Sequence, residues 1–319
     1  MAYTAGDTIL DTEYNDFASK SSSPYGYNHF AGTGSGVYGL GQTPLSTVSA
    51  GNTITAAQWN SLFTAMSNLA NHTNDTLSST TAVSTGDTIA IKAALTTDLA
   101  NLAASVAAGC PNATALTTSA ALETVTTAAE SWDTSATQEV SITFASADTM
   151  RHFFNAGGKV RITVGTTAAS VQAKDTAFAD LGTAIGNLDI ASQATTRSGS
   201  GETLTTNGLT NGFHDLTTSY TTLLKLTSDN ANYTSNTVEI QAKLDAAVGS
   251  AVTMTIKMIA EDPAGDTTYD ATNTDGVGAD PKSTPKMVTT LYALSPNTSE
   301  GLGTGLTYSS TATVSNGTV

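Results

Sequence analysis

The most regular pattern in the chain is a pair of alternating segments that flank a short helical motif. Apolar and polar residues alternate over residues 140–144 and again over residues 160–164, which is the period of a strand with one buried face. The residues between them predict one helical turn, and Gly157 and Gly158 end it by supplying the positive φ angles of a sharp return. The segment therefore predicts a strand, a short helix, a tight turn and a second strand.

The helical turn carries two adjacent phenylalanines, Phe153 and Phe154. Burial of apolar surface stabilises a fold by about 25 cal/mol per Å², so two adjacent rings are costly to leave in water. We expect both rings to plug the end of a β-sandwich. The motif carries no chemically reactive group, so we interpret it as structural.

The N-terminal part predicts helices from a repeated start signal. The motif Gly-Asp/Asn-Thr-Ile occurs from Gly6 and again from Gly51, each time shortly before a polar-aromatic-Asn sequence. In the second copy Thr55 and Gln58 have the spacing of a capping box, in which each side chain accepts a hydrogen bond from the other residue's backbone N–H. An apolar helical face follows, so a helix is predicted over residues 56–70.

Two further helices are predicted before the β-rich part. Leucines and other apolar residues form a narrow stripe over residues 87–108, and Pro111 follows the end of that stripe. A less regular helix is predicted over residues 116–129. These segments suit either a small helical bundle or a stalk around a threefold axis, and the sequence leaves both open.

From Trp132 onward the pattern predicts mainly strands. Besides the two central strands, strands are predicted over residues 217–226, 237–244, 251–258, 286–294 and 306–314. A helix is predicted over residues 175–189, and residues 192–201 predict a flexible link. The fold class is therefore α+β: N-terminal helical segments with long loops, followed by an antiparallel β-sandwich with one or two packed helices.

The change of pattern along the chain suggests three regions. Residues 1–80 form an N-terminal docking region with the repeated helix starts, and residues 81–131 form the helical bundle or stalk. Residues 132–319 form the C-terminal β-sandwich. A chain of 319 residues is long enough for two or three domains.

A long glycine-rich segment near the N-terminus carries four aromatic residues, Tyr25, Tyr27, Phe30 and Tyr38. No apolar strand precedes its glycines and no Gly-Lys-Ser/Thr follows them, so the segment does not predict a phosphate site. The aromatic rings pin this loop either to the body of the protein or to a neighbouring subunit. We favour the subunit, because long segments without secondary structure are uncommon inside one compact domain. We expect these four residues and the helix anchored at Trp59 to make assembly contacts.

The composition narrows the range of partners. Lysine and arginine number 12 against 27 aspartates and glutamates, which gives a formal net charge of −15. Nucleic-acid binding depends on clustered cations that release counterions from phosphates, so we do not expect it. The N-terminus has no basic segment followed by an apolar run, and no stretch approaches the roughly 18 apolar residues of a spanning helix. We therefore expect no membrane insertion, and assembly in the cytoplasm with release by lysis.

Residue types suited to catalysis or metal binding are sparse. Cys110 is the only cysteine, and the four histidines stand in no catalytic or metal-binding spacing, so we expect neither enzymatic activity nor a cofactor. The Asp-rich segment 261–285 offers hard oxygen ligands, and Asp266, Asp270 and Asp275 are candidates for a calcium site. Its spacing does not fit an EF-hand. A solvated loop that could contact a receptor is the preferred interpretation.

An ordered series of motifs extends over about residues 135–319. Phe-Phe-Asn-Ala-Gly-Gly from Phe153 is followed by a helical segment at 177–188, and Asn-Gly-Phe-His-Asp-Leu-Thr-Thr-Ser-Tyr over 211–220 precedes a strand that begins near Tyr233. This order resembles a domain of virion structural proteins of tailed phages, especially the contractile-tailed phages of marine cyanobacteria. The order of the motifs is more specific than any one of them.

The resemblance implies a place in the virion, because members of this family are structural or tail-fibre-like proteins. It implies a non-enzymatic tail fibre or baseplate-peripheral component that forms homotrimers or higher symmetric assemblies with other virion proteins as partners. Two alternatives remain open. One is a capsid decoration protein or head fibre, and the other is an adhesin that binds a host receptor or glycan through its sandwich loops.

Overall fold

The structure, a computed structural model, groups the chain into two compact units that interleave in sequence. It describes residues 10–78, 81–87, 92–113, 116–127, 132, 134–167, 173–231, 233–263, 286–297 and 306–316. The helical unit comprises Met1–Thr117, Asp148–Gly158 and Ser295–Leu306, and the β unit comprises Thr118–Ala147, Lys159–Leu294 and Thr307–Val319. This grouping differs from the three predicted regions, because the short helix between the two central strands joins the N-terminal residues.

Five helices contribute to the helical unit in the described part of the chain. They are α1 (Asp11–Ser19), α2 (Tyr27–Ala31), α3 (Ala56–Thr73), α4 (Lys92–Ala107) and α5 (Ala147–Asn155). The predicted capping box of α3 is present, since Thr55 Oγ1 accepts from the Gln58 N–H at 3.3 Å and Gln58 Oε1 accepts from the Thr55 N–H at 2.8 Å. Two orphan donors at the helix start are thereby satisfied. The predicted helix over 56–70 is confirmed, with one more turn at its C-terminal end.

The helical unit has an aromatic core. Trp59 meets Tyr14 edge to face, with ring centroids 5.3 Å apart, and packs against Phe63 from the next turn of α3. Buried leucines of α4 complete this core, including Leu95, Leu99 and Leu102. Edge-to-face pairs add to the stability that area burial supplies. Amphipathic faces of α1, α3 and α4 therefore meet in one core.

Within the described residues, the β unit contains two six-stranded antiparallel sheets. The strands are β1 (Thr117–Thr118), β2 (Glu123–Thr126), β3 (Ser135–Phe144), β4 (Lys159–Thr167), β5 (Asn187–Ile190), β6 (Thr195–Arg197), β7 (Thr203–Asn207), β8 (Thr221–Thr227), β9 (Thr237–Leu244), β10 (Thr253–Glu261), β11 (Lys286–Ser295) and β12 (Tyr308–Asn316). Sheet A has the order β1-β11-β4-β5-β6, and β2 also pairs with β11. Sheet B has the order β12-β3-β10-β9-β8-β7. The predicted α+β class with a β-sandwich is confirmed.

The two central strands predicted from the alternation belong to different sheets. β3 lies in sheet B and β4 in sheet A, so the motif around α5 is the crossing from one layer of the sandwich to the other. Helix α6 (Ala173–Ile185) contacts β4 of sheet A and β9 of sheet B. The buried side chain of Gln138 on β3 also joins the layers, because its Nε2 donates to the carbonyls of Met287 at 2.9 Å and Val125 at 3.2 Å. A buried amide is tolerated there because its hydrogen bonds are made.

Two predicted elements differ from the structure. The helix expected over 116–129 is wrong: the described part of that segment contains β1 and β2, and β2 pairs with β11 from Glu123 to Thr126. Its threonines and Val125 prefer strands, and that preference outweighed a weak helical period. The helix expected over 175–189 ends at Ile185, because Gly186 adopts a positive φ of 61° and the chain turns into β5.

The later strands lie close to their predicted positions. β9 has the predicted bounds, and β8, β10, β11 and β12 are each shifted by a few residues. The predicted link over 192–201 contains the short strand β6, which pairs with β5. None of the described helices combines the length and the apolar character that a membrane crossing requires.

Candidate interaction surface

The side of sheet B that faces away from the core is a continuous polar surface. In β3, β9 and β10 every second residue is buried, and the residues between them are half-exposed. One row across the sheet consists of Glu139, Lys257, Gln241 and Thr222, which are register partners on neighbouring strands. Hydroxyl pairs extend this surface: Ser141 and Thr255 lie 2.9 Å apart, as Oγ to Oγ1. We call this side of the sheet the polar face.

Tyr220 lies across the polar face just before β8. Its ring stands over two ammonium groups, with Lys257 Nζ 3.6 Å and Lys243 Nζ 4.4 Å from the ring centroid. Its hydroxyl donates to Glu139 Oε1 at 2.7 Å. Burial raises the pKa of this phenol, and the hydrogen bond to Glu139 raises it further. The tyrosine therefore stays protonated and serves as an aromatic platform held by two cations and one carboxylate.

Lys225 is the centre of a second group on the polar face. Its ammonium lies 3.0 Å from Glu261 Oε2 and 3.5 Å from Glu239 Oε2. Burial tends to lower the pKa of Lys225, but the hydrogen bonds and charges of Glu261 and Glu239 together outweigh it and raise the pKa overall. Burial tends to raise the pKa of Glu239. Hydrogen bonds from Thr222 and Gln241, together with the charge and hydrogen bond of Lys225, outweigh burial and lower the pKa overall. Both groups are therefore held in their charged forms.

The polar face is electrically balanced in an acidic chain. Glu139, Glu239 and Glu261 stand against Lys225, Lys243 and Lys257. The chain as a whole carries a formal net charge of −15. An acidic partner, including a second copy of this chain, would meet less repulsion at this face than elsewhere.

The two edge strands of sheet B expose apolar side chains beside the polar face. Every residue of edge strand β7 is exposed, and the residues of β12 from Thr311 to Val314 are exposed as well. Three large apolar side chains are exposed in the part of the chain that the structure describes, and two of them, Leu204 and Val314, lie on these edges. An edge strand presents unpaired backbone groups to another chain. Both edges are therefore candidate contact sites.

Of the residues predicted to make assembly contacts, some are buried in the protein's own core and others stay partly accessible. Tyr27, Phe30 and Trp59 are 3%, 0% and 3% exposed and belong to the core of the helical unit. The preference for a neighbouring subunit as their partner is therefore wrong, since these rings are already packed against their own chain. The short helix α2, which places Tyr27 and Phe30 inward, was not predicted.

Tyr25 and Tyr38 keep part of their surface accessible. Tyr25 stacks on His29 with ring centroids 4.2 Å apart and an interplanar angle of 9°, and Tyr38 leans against both rings. Burial lowers the pKa of His29, which favours the neutral ring in this stack. Assembly contacts through Tyr25 and Tyr38 remain a prediction.

The motif around Phe153 agrees with the sequence-based prediction at Gly157 but not at Gly158. Phe153 and Phe154 are both fully buried. Gly157 has the predicted positive φ, at 87°. Gly158 is not among the glycines with positive φ, and what requires a glycine there is space, because a Cβ would lie 2.5 Å from the Phe153 carbonyl oxygen.

Two neighbours of the phenylalanines on α5 bind the glycine-rich loop. Arg151, which pairs with Asp148 at 2.7 Å, donates to the carbonyls of Thr33 and Tyr38. Asn155 Nδ2 donates to the Tyr38 carbonyl at 3.0 Å. Buried carbonyls in a loop need such partners. The long segment is therefore held by α5, a contact between distant residues that no local sequence pattern indicates.

The groups that could carry chemistry in the helical unit are restrained. Cys110 is buried, and burial followed by the charge of Asp75 raises the pKa of its thiol to about 12, so the nucleophilic thiolate is scarce at neutral pH. His152 Nε2 lies 3.0 Å from the Thr33 carbonyl oxygen, so this ring nitrogen is engaged with the glycine-rich loop. Across the described ranges no cluster of three or more His, Cys, Asp or Glu could hold a metal. Asp266, Asp270 and Asp275 lie outside the described residues.

Comparisons with protein-family models, with curated proteins and with solved structures find no match to this chain. The resemblance to phage virion proteins therefore depends on the order of the sequence motifs alone.

Proposed function

We propose that this chain is a non-enzymatic structural protein of a tailed-phage virion, as a tail fibre or baseplate-peripheral component. In this proposal the polar face of sheet B and its two edges contact neighbouring virion proteins, including further copies of the chain. The order of motifs over residues 135–319 supports the place in the virion. The polar face supports the proposed role in contacts between proteins.

The main support for contacts with neighbouring proteins is the polar face, where the charged side chains pair with each other over a broad sheet surface. Lys225, Lys257 and Tyr220 each bind a glutamate on the same surface. Interfaces that form between already folded proteins have a polar rim and aromatic anchors, and Tyr220 between two lysines offers such an anchor. A catalytic site would instead need a reactive group directed at a substrate.

Incorporation into particles tests this proposal. We expect Lys243→Glu with Lys257→Glu to lower the amount of the chain in purified particles at least about tenfold, because like charges opposed at an interface cost several kcal/mol. Lys286→Glu, on sheet A, introduces one such charge change away from the polar face and serves as the control. Circular dichroism and thermal unfolding of each purified variant identify loss of folding. Normal incorporation of a folded double variant would refute the role of the polar face.

The edges are tested separately. Lysine on an edge strand opposes pairing with another strand, so Leu204→Lys with Val314→Lys should shift the purified protein from an oligomer to a monomer in size-exclusion chromatography with light scattering. An unchanged oligomer would exclude both edges as contacts.

The adhesin alternative depends on the Asp-rich segment, and the structure improves the design of its test. Glu261 binds Lys225 and Asp262 pairs with Lys174, so both residues support the fold and must be kept. Deleting residues 265–284 leaves these pairs intact. Loss of host adsorption with normal incorporation would favour an adhesin, and normal adsorption would favour the purely structural role.

A further inference from the structure

A buried ion pair lies at one end of the β unit, away from the polar face. Lys174 is on the first turn of α6, and Asp262 follows the last residue of β10. The ammonium of Lys174 contacts the carboxylate of Asp262, and both side chains are fully buried, at 0% exposure. Apart from this pair, neither carboxylate oxygen of Asp262 accepts a hydrogen bond. The Lys174 ammonium is therefore the group that compensates the buried Asp262 carboxylate.

A third buried polar group stands beside Asp262. Thr237 and Glu261 are register partners on β9 and β10 and bind each other on the polar face, so the residues next to them, Asn236 and Asp262, face the core side. Asn236 is 0% exposed, and neither its Oδ1 nor its Nδ2 has a hydrogen-bond partner. Unsatisfied buried amides are rare in native proteins. Such a group calls for an explanation.

Buried aromatic rings lie on the same helix as Lys174 and beside it. Phe178 lies one helical turn after Lys174 on α6, is fully buried and meets the ring of Trp132 edge to face at 5.2 Å. Two opposite charges without solvent are disfavoured, and a proton transfer that leaves a neutral amine and a neutral acid relieves the cost. A neutral buried lysine is a nucleophile. The structure thus holds an amine against a carboxyl carbon in a water-poor core.

We propose that Lys174 and Asp262 form an intramolecular isopeptide bond without an enzyme. The Lys174 ammonium first gives a proton to the Asp262 carboxylate. The Nζ lone pair then attacks Cγ of the carboxylic acid, a C–N bond forms, and the C–OH bond breaks as the hydroxyl takes a second proton from nitrogen. One water leaves, no electron is exchanged, and the product is a neutral secondary amide.

Asn236 has a defined part in this step. Its Nδ2 donates to the oxygen on Cγ of Asp262 that becomes negative during the attack. In the product its Oδ1 accepts from the new amide N–H, so both of its unpartnered atoms are satisfied. The bond closes a loop that contains strands β5 to β10, which restricts the unfolded chain as any long covalent loop does. This inference does not depend on the proposed virion role.

Tryptic peptide mapping of the purified full chain tests the proposal. An isopeptide bond blocks cleavage after Lys174 and yields one branched peptide, residues 162–197 joined to residues 258–282, lighter than its two parts by one water. Separate peptides that end at Lys174 and at Lys282 would overturn the proposal. A branch to residues 226–243 with loss of ammonia would place the bond on Asn236 and overturn the assignment to Asp262.

Two variants and one internal control complete the experiment. Lys174→Arg keeps the positive charge but offers no amine nucleophile, so the branched peptide should disappear. Asp262→Asn offers no carboxylate to take the Lys174 proton, so the branched peptide should be absent there as well. Lys225 beside Glu261 is a lysine–carboxylate pair in contact with solvent, and cleavage after Lys225 in the same digest should be complete. A branch that persists in Lys174→Arg would contradict the proposal.

Discussion

The polar face and the buried end of the β unit use the same kinds of side chain for opposite purposes. On the polar face Lys225 lies between two glutamates that remain in contact with water, and its side chain is 24% exposed. At the buried end Lys174 meets one aspartate with both side chains at 0% exposure. Solvation decides the difference. Water stabilises Lys225 and its two glutamates in their charged forms. Exclusion of water raises the free energy of Lys174 and Asp262 as ions, which favours their condensation to an amide.

The charged residues of this protein are few and unevenly placed. Only 12% of the residues are charged, yet lysines are concentrated in a balanced network on one face and one lysine is placed in the core. The network remains partly in contact with water, and the buried pair does not. Changes at each place should therefore differ strongly in size.

The largest effect is expected at the buried pair. Asp262→Ala removes the carboxylate that contacts the buried Lys174 ammonium and should lower the free energy of unfolding by about 3–5 kcal/mol. Denaturant titration followed by circular dichroism measures it. The double variant Lys174→Met with Asp262→Leu removes the unpaired buried charge but cannot form the proposed covalent loop, so it should recover only part of the loss. A loss below about 1 kcal/mol in Asp262→Ala would show that the pair is not desolvated.

A smaller effect is expected at Tyr220. Tyr220→Phe keeps the ring over Lys257 and Lys243 but removes the hydrogen bond to Glu139, which should cost about 1 kcal/mol. Tyr220→Ala also removes the cation–π contacts and should cost about 1 kcal/mol more. Thermal unfolding compares the two variants. Equal losses would mean that the ring itself contributes nothing.

At Lys225 the effect on stability should be smaller still. Lys225→Ala removes ion pairs that remain partly in water, so the expected loss is about 1 kcal/mol or less, and it should shrink further at high salt. Denaturant titrations at low and high ionic strength measure it. A loss as large as that of Asp262→Ala would remove the distinction between the two regions.

The pH dependence of the polar face follows from Glu239. Burial tends to raise its pKa in the folded protein, but hydrogen bonds from Thr222 and Gln241 and the nearby Lys225 ammonium together outweigh burial and lower it. Its charged form therefore stabilises the fold above the unfolded pKa of about 4.3, and this contribution is lost as the pH falls through the lower folded value. Glu239→Gln should show a weaker loss of stability between neutral pH and acid than the unchanged chain. An identical acid transition would contradict the assignment.

The sequence predicted the local elements better than the contacts between them. β9 and α3 followed from clear periods and, for α3, from the Thr55–Gln58 box. The segment 116–129 failed because its weak helical period competed with strand-forming threonines and a distant partner, β11. Periodicity reports which face of an element is buried, and it does not identify the element that covers that face.

The candidate sites show the same limit more strongly. Alternation placed Glu139 and Lys257 on the outer side of their strands, but only the register puts them side by side under Tyr220. Lys174 and Asp262 meet through the packing of α6 on the sheets, which no local pattern contains. The aromatic loop misled because its glycines indicated exposure while α5 supplied a remote partner through Arg151.

The most direct test of the central claim is immunogold electron microscopy of intact phage particles, with an antibody raised against residues 135–319. If the chain is a tail fibre or baseplate-peripheral component, gold label is expected along the tail or its fibres. Label spread over the head would contradict the tail placement and favour a capsid decoration protein. Particles without label, beside a control antibody that does bind, would contradict a place in the virion.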